Sequence, residues 1–365
     1  MRNTIVILPA CLIVKVPTLT LASKPPMISR HRVILSILLT LYILLTPATK
    51  SEAQGAFRWD AVSYNGGDYV TLKSVEKFYY FKRTLSKKTI TLENKNIKMI
   101  LKNGSQECRL NGVLFILSSP IISYKGDYLM SRTDLTNLVD PVLRPTYIKR
   151  ARVFNTVVLD AGHGGKDPGS RGHYSNEKEY TLKLARLIRD ILQRKGYRVV
   201  MTRNSDVFIS LANRVKIANK YPHAIFVSIH FNSGQSKANG IETFTISPVG
   251  VPHMGRGVRA RDGRAVPGNI MGSASVALAT AIHSRSLLYL NNPKYGNNFK
   301  IQDRGIKHAR FNVLTGIKIP AVLLEGGFLS NRKESGKVHS TAYQKTLASA
   351  VVRAIDVYKS SITKR

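Results

Sequence analysis

Four residues in the second half of the chain carry side chains able to do chemistry together: His163, Glu177, His230 and Glu325. His163 sits in the run Asp160-Ala161-Gly162-His163-Gly164-Gly165, directly behind the apolar residues 156–159. His230 follows the apolar run 224–229, and Glu325 follows the apolar run 321–324. Glu177 lies just past a glycine-rich stretch, where a helix should begin. Two histidines and one carboxylate are a common ligand set for a catalytic zinc that keeps a fourth position for water. Such an ion lowers the pKa of water from about 15.7 to about 7. A further carboxylate can then take the proton and pass it to a leaving nitrogen. The chain offers this complete set, with one carboxylate left over for the proton.

Taken singly, each residue has an ordinary reading. A histidine in a glycine-rich turn is usually a loop residue, and one ending a buried strand is often a satisfied core group. An acid opening a helix is favoured by the helix dipole alone. Glu325 is harder to dismiss, because an acid directly behind Ala-Val-Leu-Leu is costly unless paired or metal-linked. The remaining histidines, His173, His223, His253, His283, His308 and His339, read as surface or loop groups. Glu179, two positions past Glu177, points elsewhere around its helix. A nucleotide site is excluded. From Gly162 the G-x-G-x-x-G pattern breaks at Asp167, and Lys166 is followed by Asp167 where a phosphate loop needs Ser or Thr.

The elements that must position these groups alternate from residue 156 onward. Strands are expected at 156–159, 197–202, 224–229, 241–246 and 321–324, and helices at about 179–194, 211–219, near 273–290 and 343–358. The first of these helices places Leu184, Ile188, Ile191 and Leu192 on one face and stops at Gly196. Alternating β and α units predict an α/β fold with a largely parallel sheet covered by helices. Ligands bind such sheets at the carboxyl ends of the strands. Three strands would therefore deliver His163, His230 and Glu325 to one edge, and Glu177 at its helix start would return a carboxylate there. Residues 248–272, rich in Gly and Arg with little apolar periodicity, read as a flexible basic loop at the rim of the groove.

The first half carries no clustered acid, base or nucleophile. Residues 56–145 read as a small α/β module with short alternating runs at 89–92, 98–101, 107–110 and 113–117 and turns at Asn103-Gly104 and Asn111-Gly112. A D-Y-apolar opening leads into a helical stretch twice, at Asp68 and at Asp127, which hints at two related halves. The module resembles the copper amine oxidase N-terminal-like domain, a resemblance that does not itself imply copper, and with no clustered reactive groups it reads as a non-catalytic binding or spacing module. Residues 146–155 read as a linker, and residues 156–365 as the catalytic domain.

Composition and the N-terminus bear on the address. Hydrophobic residues make up 43% of the 365, enough for a packed core. Fifty-six Lys and Arg against 21 Asp and Glu give a formal net charge of +35, which favours polyanionic partners. Arg30, His31 and Arg32 precede an apolar run, 33–45, followed by small residues through Ala48 and Ala53. That order is the pattern of a secretory signal peptide, 27–55, with an uncleaved anchor as the alternative. Residues 1–26 read as a mis-called upstream extension, with Met27 as the start. The protein is therefore expected outside the cytoplasm, periplasmic or at the cell wall. An anionic wall or membrane surface then explains the charge. Nucleic acid does not, because no helix-turn-helix, RNA-recognition or zinc-finger pattern accompanies it. Only Cys11 and Cys108 are present, so the exported form has no internal disulfide and no four-cysteine zinc site.

With these residues in place a resemblance is legible. V-V-L-D-A-G-H-G-G-K-D-P-G, N-E-K-E-Y-T-L, V-S-I-H-F-N-S and L-L-E-G-G-F-L-S-N resemble, in order, the signature blocks of the zinc-dependent N-acetylmuramoyl-L-alanine amidases of the amidase-3 family. M-T-R-N-S-D, L-A-N-R-V-K-I-A-N and D-R-G-I-K-H-A-R-F-N-V-L match further blocks. The resemblance implies a mixed sheet flanked by helices and a Zn2+ cofactor held by His163, Glu177 and His230, with Glu325 as the catalytic carboxylate. It also implies hydrolysis of the amide between the lactyl group of N-acetylmuramic acid and L-alanine in peptidoglycan, in wall remodelling or daughter-cell separation. An activating protein partner is left open.

Overall fold

The computed structural model describes residues 57–363, apart from residues 146, 147, 149, 296 and 297. The expected signal peptide and upstream extension lie outside the described residues. Residues 57–59 belong to a separate unit, and every strand and helix among the described residues lies in the other unit, from Asp60 onward.

The first half folds as strands with sharp turns. Its elements are β1 (Ala61–Tyr64), β2 (Gly67–Thr71), α1 (Leu72–Tyr79), β3 (Lys82–Ser86), β4 (Thr89–Glu93), β5 (Lys98–Lys102), β6 (Glu107–Leu110), β7 (Val113–Ile116), β8 (Ile122–Tyr124) and β9 (Asp127–Ser131). Helical turns follow over residues 132–143, including a π segment, Leu135–Val139. Asn111 and Gly112 both take positive φ, 47° and 87°, as a two-residue hairpin between β6 and β7 requires. The two D-Y-apolar openings pair with each other: β2 and β9 run antiparallel in a four-stranded sheet of order β1-β2-β9-β8. Cys108 is fully buried, and burial pushes its thiol pKa up, so it packs as a small apolar side chain.

The second half alternates as expected: β10 (Thr156–Ala161), α2 (Glu177–Arg194), β11 (Arg198–Met201), α3 (Leu211–Asn219), β12 (Ala224–Asn232), β13 (Ile241–Ile246), α4 (Gly272–Asn291), β14 (Asp303–Ala309), α5 (Asn312–Gly316), β15 (Ala321–Phe328), α6 (Arg332–His339) and α7 (Thr341–Thr363). Strands β11, β10, β12 and β15 are parallel neighbours, while β13 runs antiparallel to β15 and β14 parallel to β13. The sheet is thus mixed. β12 is buried from Ala224 to Ile229 on both faces, as a central strand with layers above and below must be. On one face Val158, Phe226, Phe244 and Leu323 pack with Val313, Leu314 and Ile317. Helices α2, α4 and α7 cover the other face, and α2 turns Tyr180, Leu184, Ile188 and Leu192 inward.

Three features differ from the sequence reading. β14 has no clean alternation in D-R-G-I-K-H-A and is not foreseen, yet it extends the sheet through Ile306 beside Phe115 of β7. The β7-β6-β5-β4-β3 meander thereby continues the same sheet to eleven strands. The antiparallel course of β13 also carries residues 247–271 to the edge opposite the carboxyl ends of β10, β12 and β15, not to the rim of the groove. That segment is held in place: buried Asp262 pairs with Arg256 at 2.6 Å and Arg310 at 3.1 Å, inside short 3-10 turns. Finally, His283 and His308 are interior groups, not surface ones. His283 joins Thr243 Oγ1 at 2.9 Å to Asp303 at 3.0 Å, and His308 lies on the unforeseen β14.

Candidate metal centre

The carboxyl ends of β10, β12 and β15 meet at one edge of the sheet. β10 ends at Ala161, and the chain turns at once through Gly162 into His163, whose φ of +60° is left-handed and strained for a residue with a side chain. His230 lies within β12 and pairs in register with Glu325 of β15. Glu177 is the first residue of α2, two residues earlier than the expected helix start, and is 3% exposed. All four residues singled out by the sequence come to this edge. Glu179 is exposed and does not.

The donor atoms converge. One ligand atom from each of His163, Glu177 and His230 lies within 4.8 Å of the others. His163 Nε2 is 3.1 Å from Glu177 Oε2, and His230 Nδ1 is 2.8 Å from Glu177 Oε1. The backbone N–H groups of Ser170 and Phe231 also donate to Glu177, at 2.8 and 3.1 Å. Burial by itself would raise the Glu177 pKa, but the two imidazoles, by hydrogen bonds and charge, hold it well below the usual carboxylate range. Burial likewise works against charge on His163, and Glu177 and Asp167 outweigh it and raise its pKa. Lone pairs that hold protons this way are those a metal would take, so metal and protons compete for the cluster.

The space around the donors fits an ion. A Cβ on Gly162 would stand 2.4 Å from the His230 ring, and one on Gly169 would stand 2.6 Å from Glu177 Oε2 and 2.7 Å from His163 Cδ2. Only glycine lets the backbone approach the donors so closely at these two positions. Asp167 accepts from His163 Nδ1 at 2.9 Å, which sets the ring and leaves Nε2 facing Glu177.

Glu325 is of another kind. Its Oε2 is buried and has no hydrogen-bond partner among the described residues. Burial first, then the charges of Glu177 and Glu242, raise its pKa well above that of an ordinary glutamate. A buried oxygen without a hydrogen bond costs on the order of 1–3 kcal/mol.

Two buried arginines hold the His163 turn, and the sequence blocks that contain them pointed to no role. Arg214, 3% exposed, donates to the carbonyls of Ala161 and His163, both at 2.7 Å, and pairs with buried Asp160 at 2.6 Å. Arg203, 2% exposed, donates to Ala161 O at 2.9 Å, Gly162 O at 2.8 Å and Lys178 O at 2.7 Å. These bonds satisfy carbonyls that the tight turn would leave orphaned. The only signal in the sequence was an arginine inside each of two motif blocks. Their burial is a tertiary fact.

A mixed α/β sheet with His, Glu and His donors at its strand ends places the protein among α/β enzymes with a candidate mononuclear metal centre. A family model for N-acetylmuramoyl-L-alanine amidase, Amidase_3, matches residues 157–357, just over half of the chain, and the chain belongs to this family. It is 34% identical over 203 residues to the uncharacterized protein YqiI of Bacillus subtilis, covering 56% of this chain and 84% of YqiI. It is 29% identical over 262 residues to the N-acetylmuramoyl-L-alanine amidase AmiC of Escherichia coli O6:H1, covering 66% of this chain but only 62% of AmiC. Among solved structures, the catalytic domain of CwlV, an N-acetylmuramoyl-L-alanine amidase from Bacillus (Paenibacillus) polymyxa, is 32% identical, with a TM-score of 0.45 over 56% of this chain and 98% of that one.

Proposed function

We propose that this peptidoglycan amidase works with a zinc ion held by His163, Glu177 and His230, and with Glu325 as its acid–base carboxylate. The observation that supports this most directly is the pairing of a three-donor cluster with an unpartnered carboxylate on adjacent, register-matched strands. Bound there, zinc would supply Lewis acidity toward water and toward an amide carbonyl.

The chain's own groups account for the remaining steps. Water adds to the lactyl carbonyl carbon of N-acetylmuramic acid while Glu325 takes its proton. The C–N bond then breaks, Glu325 returns the proton to the nitrogen of L-alanine, and a carboxylic acid and an amine leave. Burial and the neighbouring charges of Glu177 and Glu242 raise the proton affinity of Glu325, the direction that suits a carboxylate which must take up a proton and pass it on. Asp167 orients His163, while Arg203 and Arg214 keep its turn in the left-handed conformation.

The same reading places the protein outside the cytoplasm, exported by residues 27–55, with its basic surface held on an anionic wall or membrane. Residues 56–145 then serve as the non-catalytic module resembling the copper amine oxidase N-terminal domain. Among the described residues no helix is long and apolar enough to cross a membrane. Mass spectrometry of fragments released from purified peptidoglycan tests the whole reading. Release should stop on chelation, return with zinc, and leave free lactyl and L-alanyl ends. Cleavage within the stem peptide instead, or full release after exhaustive chelation, would refute it.

A further inference from the structure

The D-R-G block at the start of β14 has no part in the chemistry above, yet it borders the site. Along the catalytic edge one row of residues crosses four adjacent strands. His230 of β12 faces Glu325 of β15, which faces Glu242 of β13. On β14, Asp303 faces Ile241 and Ile306 faces Thr243, so the intervening bulge sets Arg304 and Gly305 beside Glu242. Residues directly opposed on neighbouring strands share a face of the sheet.

The charges in this row do not balance. Glu242, 4% exposed, accepts from Lys307 Nζ at 2.7 Å and Arg304 Nε at 2.5 Å, and its other oxygen accepts from Asn232 at 3.2 Å. Two cations thus share one carboxylate. Glu334, the next acid nearby, is committed to the backbone N–H groups of Gly240 and Phe328. Glu325 forms no ion pair among the described residues. Lys307 is buried and suffices to neutralise Glu242, whereas the Arg304 side chain is 31% exposed. Its guanidinium lies 4.8 Å over the Phe328 ring, and its two terminal nitrogens make no hydrogen bond among the described residues. A guanidinium anchored through Nε and by a ring, with its outer edge open, presents the planar fork that grips a carboxylate bidentately.

We propose that Arg304 binds a free carboxylate of the stem peptide, close behind the alanine whose amide is cut. The proposal rests on the amidase reading and adds a substrate feature to it. Two strand spacings separate β15 from β14, roughly 10 Å at ~4.8 Å each. The arginine's own reach brings that to one or two residues of extended peptide at ~3.4 Å per residue. The acid-bearing stem would therefore lie across β13, with its amide at Glu325 and its carboxylate at Arg304. A stem carrying a carboxamide at the same place would leave the fork unpaired.

The test compares two muropeptides that differ only in a carboxylate or a carboxamide at the second stem residue, cut by the zinc-loaded full chain. Wild type should favour the acid in kcat/KM by about 10- to 100-fold, chiefly through KM. Arg304→Gln, which leaves Lys307 on Glu242 and so should fold, should bring that ratio close to one. Arg304→Lys, with the charge but not the fork, should fall between. An absent preference in wild type, or an unchanged ratio in Arg304→Gln with both substrates slowed alike, would overturn the proposal while leaving the amidase reading intact. Cleavage of neither substrate by zinc-loaded wild type would overturn both.

Discussion

Residues 61–143 and residues 156–363 each bury carboxylates bonded to backbone N–H groups, and only the second region also holds one without such bonds. In the first, Asp134 is 1% exposed and accepts from the backbone N–H groups of Ser118 and Ser119 at 2.7 and 3.2 Å, tying a loop to the helical turns. In the second, Glu334 does the same work for Gly240 and Phe328. Glu325, a few residues before Glu334, has a buried oxygen with no partner among the described residues. Burial raises the pKa of all three, yet only for Glu325 does no hydrogen bond oppose the rise. A buried acid with its bonds made is part of the frame, and one held without them fits the acid–base role proposed for Glu325. Packing alone would not retain it.

The contrast is broken most directly at Glu325. Glu325→Gln should lower kcat by about 10²- to 10⁴-fold. It should leave the thermal midpoint unchanged or raised, because a buried unpartnered carboxylate is removed. Retained activity measured on purified peptidoglycan would end the acid–base role, and a large fall in midpoint would make Glu325 a frame residue after all.

The frame acids should show themselves in the pH dependence of stability. Burial lifts Asp134 from 3.8 to about 6 and Glu334 from 4.5 to about 7, against the opposing backbone hydrogen bonds. Each binds its proton more tightly folded than unfolded, so the stability it contributes is complete below its unfolded value. That contribution is lost as pH rises, through about 6 for Asp134 and about 7 for Glu334. The loss is on the order of 3 kcal/mol at each site. Urea unfolding of Asp134→Asn and Glu334→Gln at pH 4 and pH 8 should show flatter pH slopes than wild type, and an unchanged slope would remove the effect.

A smaller change sharpens the metal side. Asp167→Asn, which weakens the hold on His163 without removing a donor, should reduce zinc affinity about 10- to 100-fold in chelator competition. Wild-type affinity would mean the turn needs only Arg203 and Arg214. The smallest effect belongs to Glu179→Ala, next to the ligand in sequence but exposed, which should leave zinc affinity unaltered and stability within about 0.5 kcal/mol.

Much of this was legible in residue order alone. Runs of apolar residues ending in His, His and Glu located three strand ends, and the helix beginning near Glu177 brought the fourth group back, because strand and helix periods are local properties. The glycines around His163 announced a tight turn. Where pairing between distant segments decided the outcome, the sequence was silent. Strand β14 lacks alternation because both its faces are covered, so nothing marked it as a strand, and His308 and Arg304 could not be placed. The reversed course of β13 moved the basic segment 247–271 to the far edge, and no local pattern encodes strand direction. Nothing in the sequence marked Arg203 and Arg214 as interior groups, and the fold buries both. The chemistry proposed for the four residues rests on their types and spacing. Whether an acid is satisfied, or a cation left with a free edge, is decided only when the chain's remote parts arrive around it.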